Sequence, residues 1–72
     1  MKFKVTFWDP NDRGSFNIQE DLDDQGMIEL PDTTYNFFEV LHQYTDTMLR
    51  WGRFAVNFNA SPPEICFMNR HD

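Results

Sequence analysis

Residues 32–51, DTTYNFFEVLHQYTDTMLRW, repeat their apolar side chains with the period of a helix, and the rest of the chain must be arranged around that face. At 100° per residue, Phe37, Leu41, Tyr44, Met48 and Trp51 fall in one band, with Val40 on one flank and Phe38 and Leu49 on the other. Asn36, Glu39, Gln43, Asp46, Thr47 and Arg50 take the opposite side, where Asp46 and Arg50 form an i,i+4 pair with the acid first. Asp32 can accept from the free N–H groups of the first turn, and Gly52 suits the left-handed position just past the end. The spacing therefore predicts a helix over residues 33–51. Its apolar arc covers roughly 180°, against the ~100° stripe that a one-sided surface helix needs. Deep wrapping of a lone helix by a small fold is the simpler account; the other is a partner or a second copy on the flank that holds Phe38 and Leu49.

Around the helix, period-two alternation marks strands. Phe3, Val5 and Phe7 alternate with Lys2, Lys4 and Thr6. The turn-forming run Asp9-Pro10-Asn11-Asp12-Arg13-Gly14 then reverses the chain, so that Phe16, Ile18 and Leu22 are expected on a second strand antiparallel to the first. Asp23 to Gly26 make another turn, before a short third strand at 27–30. After Gly52, Phe54, Val56 and Phe58 alternate with Ala55, Asn57 and Asn59; Ser61-Pro62-Pro63 breaks the pattern and Ile65 to Met68 form a last strand. The expected class is α+β: one domain over residues 1–72, a single antiparallel sheet of four or five strands, and one helix packed across it in the order ββ(β)αββ.

So short a chain usually needs a staple, yet Cys66 is the only cysteine, and no Cys/His set has zinc-finger spacing. Twelve aromatics offer packing in place of a disulfide. Cys66 itself, in an apolar strand with no basic neighbour, is expected as a buried and inert thiol. The N-terminus lacks a leader-like apolar run and no stretch reaches the ~18 residues of a membrane span, which points to a soluble, cytoplasmic protein.

The net charge of −6 is concentrated in one third of the sequence. Residues 1–8 carry +2 from Lys2 and Lys4. Residues 9–32 carry −7, from Asp9, Asp12, Glu20, Asp21, Asp23, Asp24, Glu29 and Asp32 against Arg13; residues 33–72 carry only −1. Direct nucleic-acid binding needs cations to displace counterions from phosphates, and anionic membranes make the same demand, so neither is expected. A protein with a basic or mixed surface is the natural partner.

Chemistry-bearing patterns are few. Asp21 to Asp32 resembles an EF-hand calcium loop, with acids at positions 1, 3, 9 and 12 and Gly26 at position 6. Gln25 at position 5, a short Asp at 12, Pro31 at 11 and the absence of an entering helix make an acidic turn the stronger reading. Glu39, His42 and Asp46 share a helix face, but a lone helix cannot supply the matching ligands that a dinuclear site needs. No phosphate loop, catalytic triad or cysteine nucleophile can be assembled, so no enzyme, cofactor or metal is expected.

The expected function is that of a small acidic non-enzymatic protein that binds a protein partner and blocks or modulates it, with a homodimer also open. The partner-binding candidates are Phe38 and Leu49 on the helix flank and Glu20, Asp21, Asp23, Asp24 and Glu29 in the acidic segment. In size and charge the chain resembles small acidic phage inhibitors of restriction or CRISPR systems, which implies a DNA-mimic alternative in which carboxylates stand for phosphates. A calcium-binding module through the 21–32 loop is the remaining alternative.

Overall fold

The computed structural model describes residues 1–31, 35–45 and 53–68. It is α+β: four strands, β1 (Lys2–Phe7), β2 (Met27–Glu29), β3 (Arg53–Asn57) and β4 (Glu64–Met68), with one helix, α1 (Tyr35–Thr45). The sheet order is β2-β1-β4-β3, and the sheet is mixed. β1 pairs antiparallel with β2 (Phe3 opposite Ile28), β4 antiparallel with β3 (Ala55 opposite Cys66), but β1 and β4 run parallel (Val5 beside Ile65). The all-antiparallel sheet expected from the sequence is thus corrected at its centre. The reason is the helix. α1 carries the chain from β2 at one edge to β3 at the other in the manner of a crossover, which leaves those two strands parallel. The hairpin partner of β3 must then enter alongside β1 in the same direction.

The second expected strand is also corrected. Residues 10–21 form two short 3-10 helices, Pro10–Ser15 and Asn17–Asp21. Both ladders of β1 are occupied by β2 and β4, so no place remains for a strand at 16–22. Local bonds satisfy the backbone instead. Asp9 Oδ1 accepts from the Asn11 N–H at 3.0 Å, Pro10 opens the first helix, and the Gln19 side-chain amide donates to the Arg13 carbonyl. Short polar side chains of this kind compete for backbone groups that a strand would need. Phe16 and Ile18 are nevertheless buried, as the alternation required.

The core lies between one sheet face and the helix. Phe3, Val5, Ile28, Ile65 and Phe67 come from the sheet, Leu30 from the segment after β2, Phe16 and Ile18 from the 3-10 segment, and Phe37 and Leu41 from α1. Tyr44, Phe54 and Val56 pack against it and are partly buried. Met48, Leu49 and Trp51 fall outside the described residues. Phe3 and Phe37 meet at a ring separation of 5.2 Å, and Phe16 and Phe67 at 5.3 Å, so aromatic packing does the work a disulfide would do elsewhere. Thr45, the one buried polar side chain among the described residues, donates its hydroxyl to the His42 carbonyl at 3.1 Å. Cys66 is part-buried on the outer face of the sheet, away from the core where it was expected.

Candidate functional site

Three aromatic side chains escape this core at one end of the molecule. Phe37 is fully buried, and its ring touches Phe38 edge-on at 5.2 Å and Phe58 at 6.0 Å. Phe58, just past β3, also meets Phe3 edge-on at 6.1 Å. Phe38 is 43% exposed and Phe58 47%, so each has one side on the core and one in water. Tyr35, one turn before Phe38 on α1, is 82% exposed. An i,i+3 spacing places the two on adjacent ground. Phe38 and Phe58 thus both rest on Phe37, Phe58 also on Phe3, and with Tyr35 beside Phe38 by helix spacing the three rings are termed the aromatic shelf. Such half-exposed rings are costly to leave in water and rigid enough to bind without a large loss of side-chain entropy.

Phe38 was legible as a flank of the helix wheel; Tyr35 and Phe58 were not singled out. Tyr35 sits on the polar side of the wheel beside Phe38, a signal available in the sequence. Phe58 continues the apolar alternation of β3, and only the end of the strand at Asn57 turns it outward. Leu49 lies outside the described residues.

The five acidic candidates do not form one strip. Glu29 ends β2, its carboxylate 2.7 Å from the Met1 ammonium. Asp23 and Asp24 occupy the turn before β2 and line a shallow depression with Lys2 and Gln25. Asp23 Oδ1 accepts from the Gln25 and Met27 N–H groups at 2.8 and 2.9 Å, and Oδ2 lies 3.5 Å from Lys2 Nζ. Those two backbone bonds, and then the lysine, hold the Asp23 carboxyl below the usual carboxylate range. Gly26, at φ +75°, closes the turn in a conformation that favours glycine. Glu20 and Asp21 stand on the second 3-10 helix, where Asp21 Oδ2 accepts from the Tyr44 hydroxyl at 2.8 Å.

Comparison with protein families, curated proteins and solved structures finds no match. The chemistry must therefore be read from the groups themselves. In the calcium-loop pattern, Asp21, Asp23 and Glu29 serve three separate partners, Tyr44, the turn backbone and the N-terminus; Asp32 lies outside the described residues. Among the described residues no three His, Cys, Asp or Glu side chains are grouped to hold a metal. Millimolar calcium is expected to leave the melting midpoint unchanged, whereas a true site at a hundredfold excess over Kd would add about 2.7 kcal/mol. A calcium-dependent rise would return Asp21, Asp23 and Glu29 to the role of ligands. His42 meets the Phe54 ring edge-on at 5.1 Å; Asp46, its expected helix-face neighbour, is outside the described residues.

An open cleft of about 270 Å³ runs beside Val5, Thr6, Phe7, Pro10, Arg13, Leu22 and Gly26. Its lining offers one hydroxyl and one guanidinium, and the latter lies 5.9 Å over the Phe7 ring. Neither a nucleophile with a base nor a carboxylate pair is among those groups, and the volume falls short of the ~300–1,000 Å³ of ordinary ligand sites. No helix among the described residues is long and apolar enough to cross a membrane.

Partial burial, and then the adjoining Asp21 carboxylate, push the Tyr44 phenol up from 10.0 to about 12. The folded state keeps this proton where the unfolded chain has lost it. Its stabilising contribution is therefore complete below pH 10 and disappears as pH rises to about 12. Urea midpoints across that window are expected to fall more steeply for the natural chain than for Tyr44→Phe; equal slopes would show that Tyr44 is not coupled to folding.

Proposed function

We propose that this chain is a small acidic, non-enzymatic protein that docks on another protein and blocks or modulates it. The observation that carries this reading is the aromatic shelf of Tyr35, Phe38 and Phe58. A domain that has packed ten apolar side chains into one core leaves three large rings together at its surface, which is the composition of an interface anchor. The acids supply the second element. Glu20, Asp21, Asp23, Asp24 and Glu29 add negative potential on the same molecule, so a partner with a basic or mixed surface would be drawn in and then held by desolvated rings.

The alternative, that the acids stand in for DNA phosphates, calls for carboxylates free to face a partner in series. Three of the five already accept internal bonds, which favours the shelf. The complex with a partner captured from the source cell separates the two readings when its affinity is measured from about 50 to about 500 mM salt. Docking through the shelf predicts a shallow salt slope, no displacement by duplex DNA, and a slower association rate on charge reversal at Asp23 and Asp24. A steep slope together with displacement by duplex DNA would establish mimicry instead.

A further inference from the structure

β3 ends the sheet, and among the described residues nothing pairs with its outer edge. Which of its backbone groups point outward follows from the ladders. Lys4 donates to the Pro63 carbonyl at 2.8 Å and Trp8 to the Phe67 carbonyl at 2.9 Å, so residues 63, 65 and 67 turn their backbone groups toward β1. The intervening Glu64, Cys66 and Met68 face β3, opposite Asn57, Ala55 and Arg53. Antiparallel alternation then leaves the N–H and C=O of Phe54 and Val56 on the open edge.

We infer that this edge joins a second copy of the chain, β3 to β3, about a two-fold axis at Ala55. One register pairs all five residues of the strand: Ala55 opposite the partner's Ala55, Phe54 opposite the partner's Val56, and Arg53 opposite the partner's Asn57. It satisfies the four open groups of each edge, two N–H and two C=O, in four backbone hydrogen bonds. The smallest side chain of the strand sits on the axis, where directly opposed residues come closest. Phe54 and Val56, each part-buried in one copy, cover one another on the helix side.

Charge decides for a second copy over an unrelated strand. Edge strands that must stay alone carry charged side chains, proline or a bulge, and of these RFAVN has only Arg53, at its first position. In this register Arg53 lies in one row with the partner's Asn57 and the partner's Glu64, since Glu64 is opposite Asn57 within each chain. Two strand spacings are about 10 Å, within the joint reach of an arginine and a glutamate side chain. Among the described residues neither Arg53 nor Glu64 forms an ion pair within its own chain. The two-fold makes this match twice. Apart from Arg53 the strand is uncharged, so the edge is a place where an acidic chain can approach itself. None of Tyr35, Phe38 and Phe58 belongs to the five paired residues.

Sedimentation equilibrium of the full chain over a range of concentrations tests the assignment. The mass is expected to climb toward twice that of the chain. Ala55→Lys, at an exposed outer-face position, sets two cations against each other on the axis and should weaken dimerisation about tenfold or more while circular dichroism is unchanged. Arg53→Glu should weaken it too, and adding Glu64→Arg should restore it. A single-chain mass up to ~1 mM would overturn the inference. So would a dimer indifferent to Ala55→Lys, or one abolished by Phe38→Ala, which would assign self-association to the shelf.

Discussion

Leu41→Ala is expected to remove about 2–5 kcal/mol of folding free energy, a large share of the ~5–15 kcal/mol that a domain possesses. Leu41 is fully buried in one cluster with the sheet side chains and the 3-10 segment, so removing its methyl groups leaves a cavity in an apolar core. Phe37→Ala should cost still more, about 3–5 kcal/mol, because that ring also carries Phe3, Phe38 and Phe58. Urea unfolding is the measurement. The midpoint should fall sharply for both variants at nearly constant m, while Gln43→Ala on the exposed face of α1 should stay within about 0.5 kcal/mol of the natural chain. An unchanged midpoint for Leu41→Ala would mean that the helix presents another face to the sheet.

Both expectations about Leu41 and Phe37 were legible in the sequence, because helix burial is a matter of angle and the wheel measures angle. So were the positions of β1, β2, β3 and β4; the alternation of β1 survives into the burial of Phe3 and Val5, and the short apolar run of β4 buries Ile65 and Phe67. Pairing was not legible. Alternation says which face of a strand is apolar and nothing about which neighbour runs beside it, so the parallel contact of β1 with β4 was beyond reach. It follows from connectivity, from a helix that crosses between the two sheet edges. The 16–22 segment failed for a related reason. Phe16 and Ile18 are two apart and both buried, which a strand and an irregular segment can satisfy equally; the run of Asn, Asp, Gly, Ser and Gln around them was the sign that the backbone would bond to itself.

At the candidate site the sequence showed charge better than shape. The acids could be counted, but Asp21, Asp23 and Glu29 were assigned to one segment when the fold gives each a different internal partner. Phe58 lies beyond β3, far along the chain from α1, and only the packing of Phe38 and Phe58 on the one Phe37 ring brings them together.

If that shelf anchors a partner, Phe38→Ala and Phe58→Ala should each weaken the complex by at least about 2 kcal/mol, roughly thirtyfold, at low and at high salt alike. Desolvated aromatic anchors hold their affinity through contact, which salt does not screen, and their loss appears in the dissociation rate. The two variants differ in what else they do. Phe38 rests on Phe37 alone among the described rings, whereas Phe58 also supports Phe3, so Phe58→Ala should lower the melting midpoint and Phe38→Ala should lower it less. Phe38→Ala is therefore the cleaner reporter of binding, and Tyr35→Ala, at a side chain almost wholly in water, tests whether the interface extends along the helix. Charge reversal at Asp23 and Asp24 lies away from the rings and should act on association rate, with an effect that fades as salt rises past the point where the Debye length drops below about 8 Å. Retained affinity in Phe38→Ala and Phe58→Ala, with loss confined to the charge variants, would place the anchor on the acidic segment and remove the shelf from the interface.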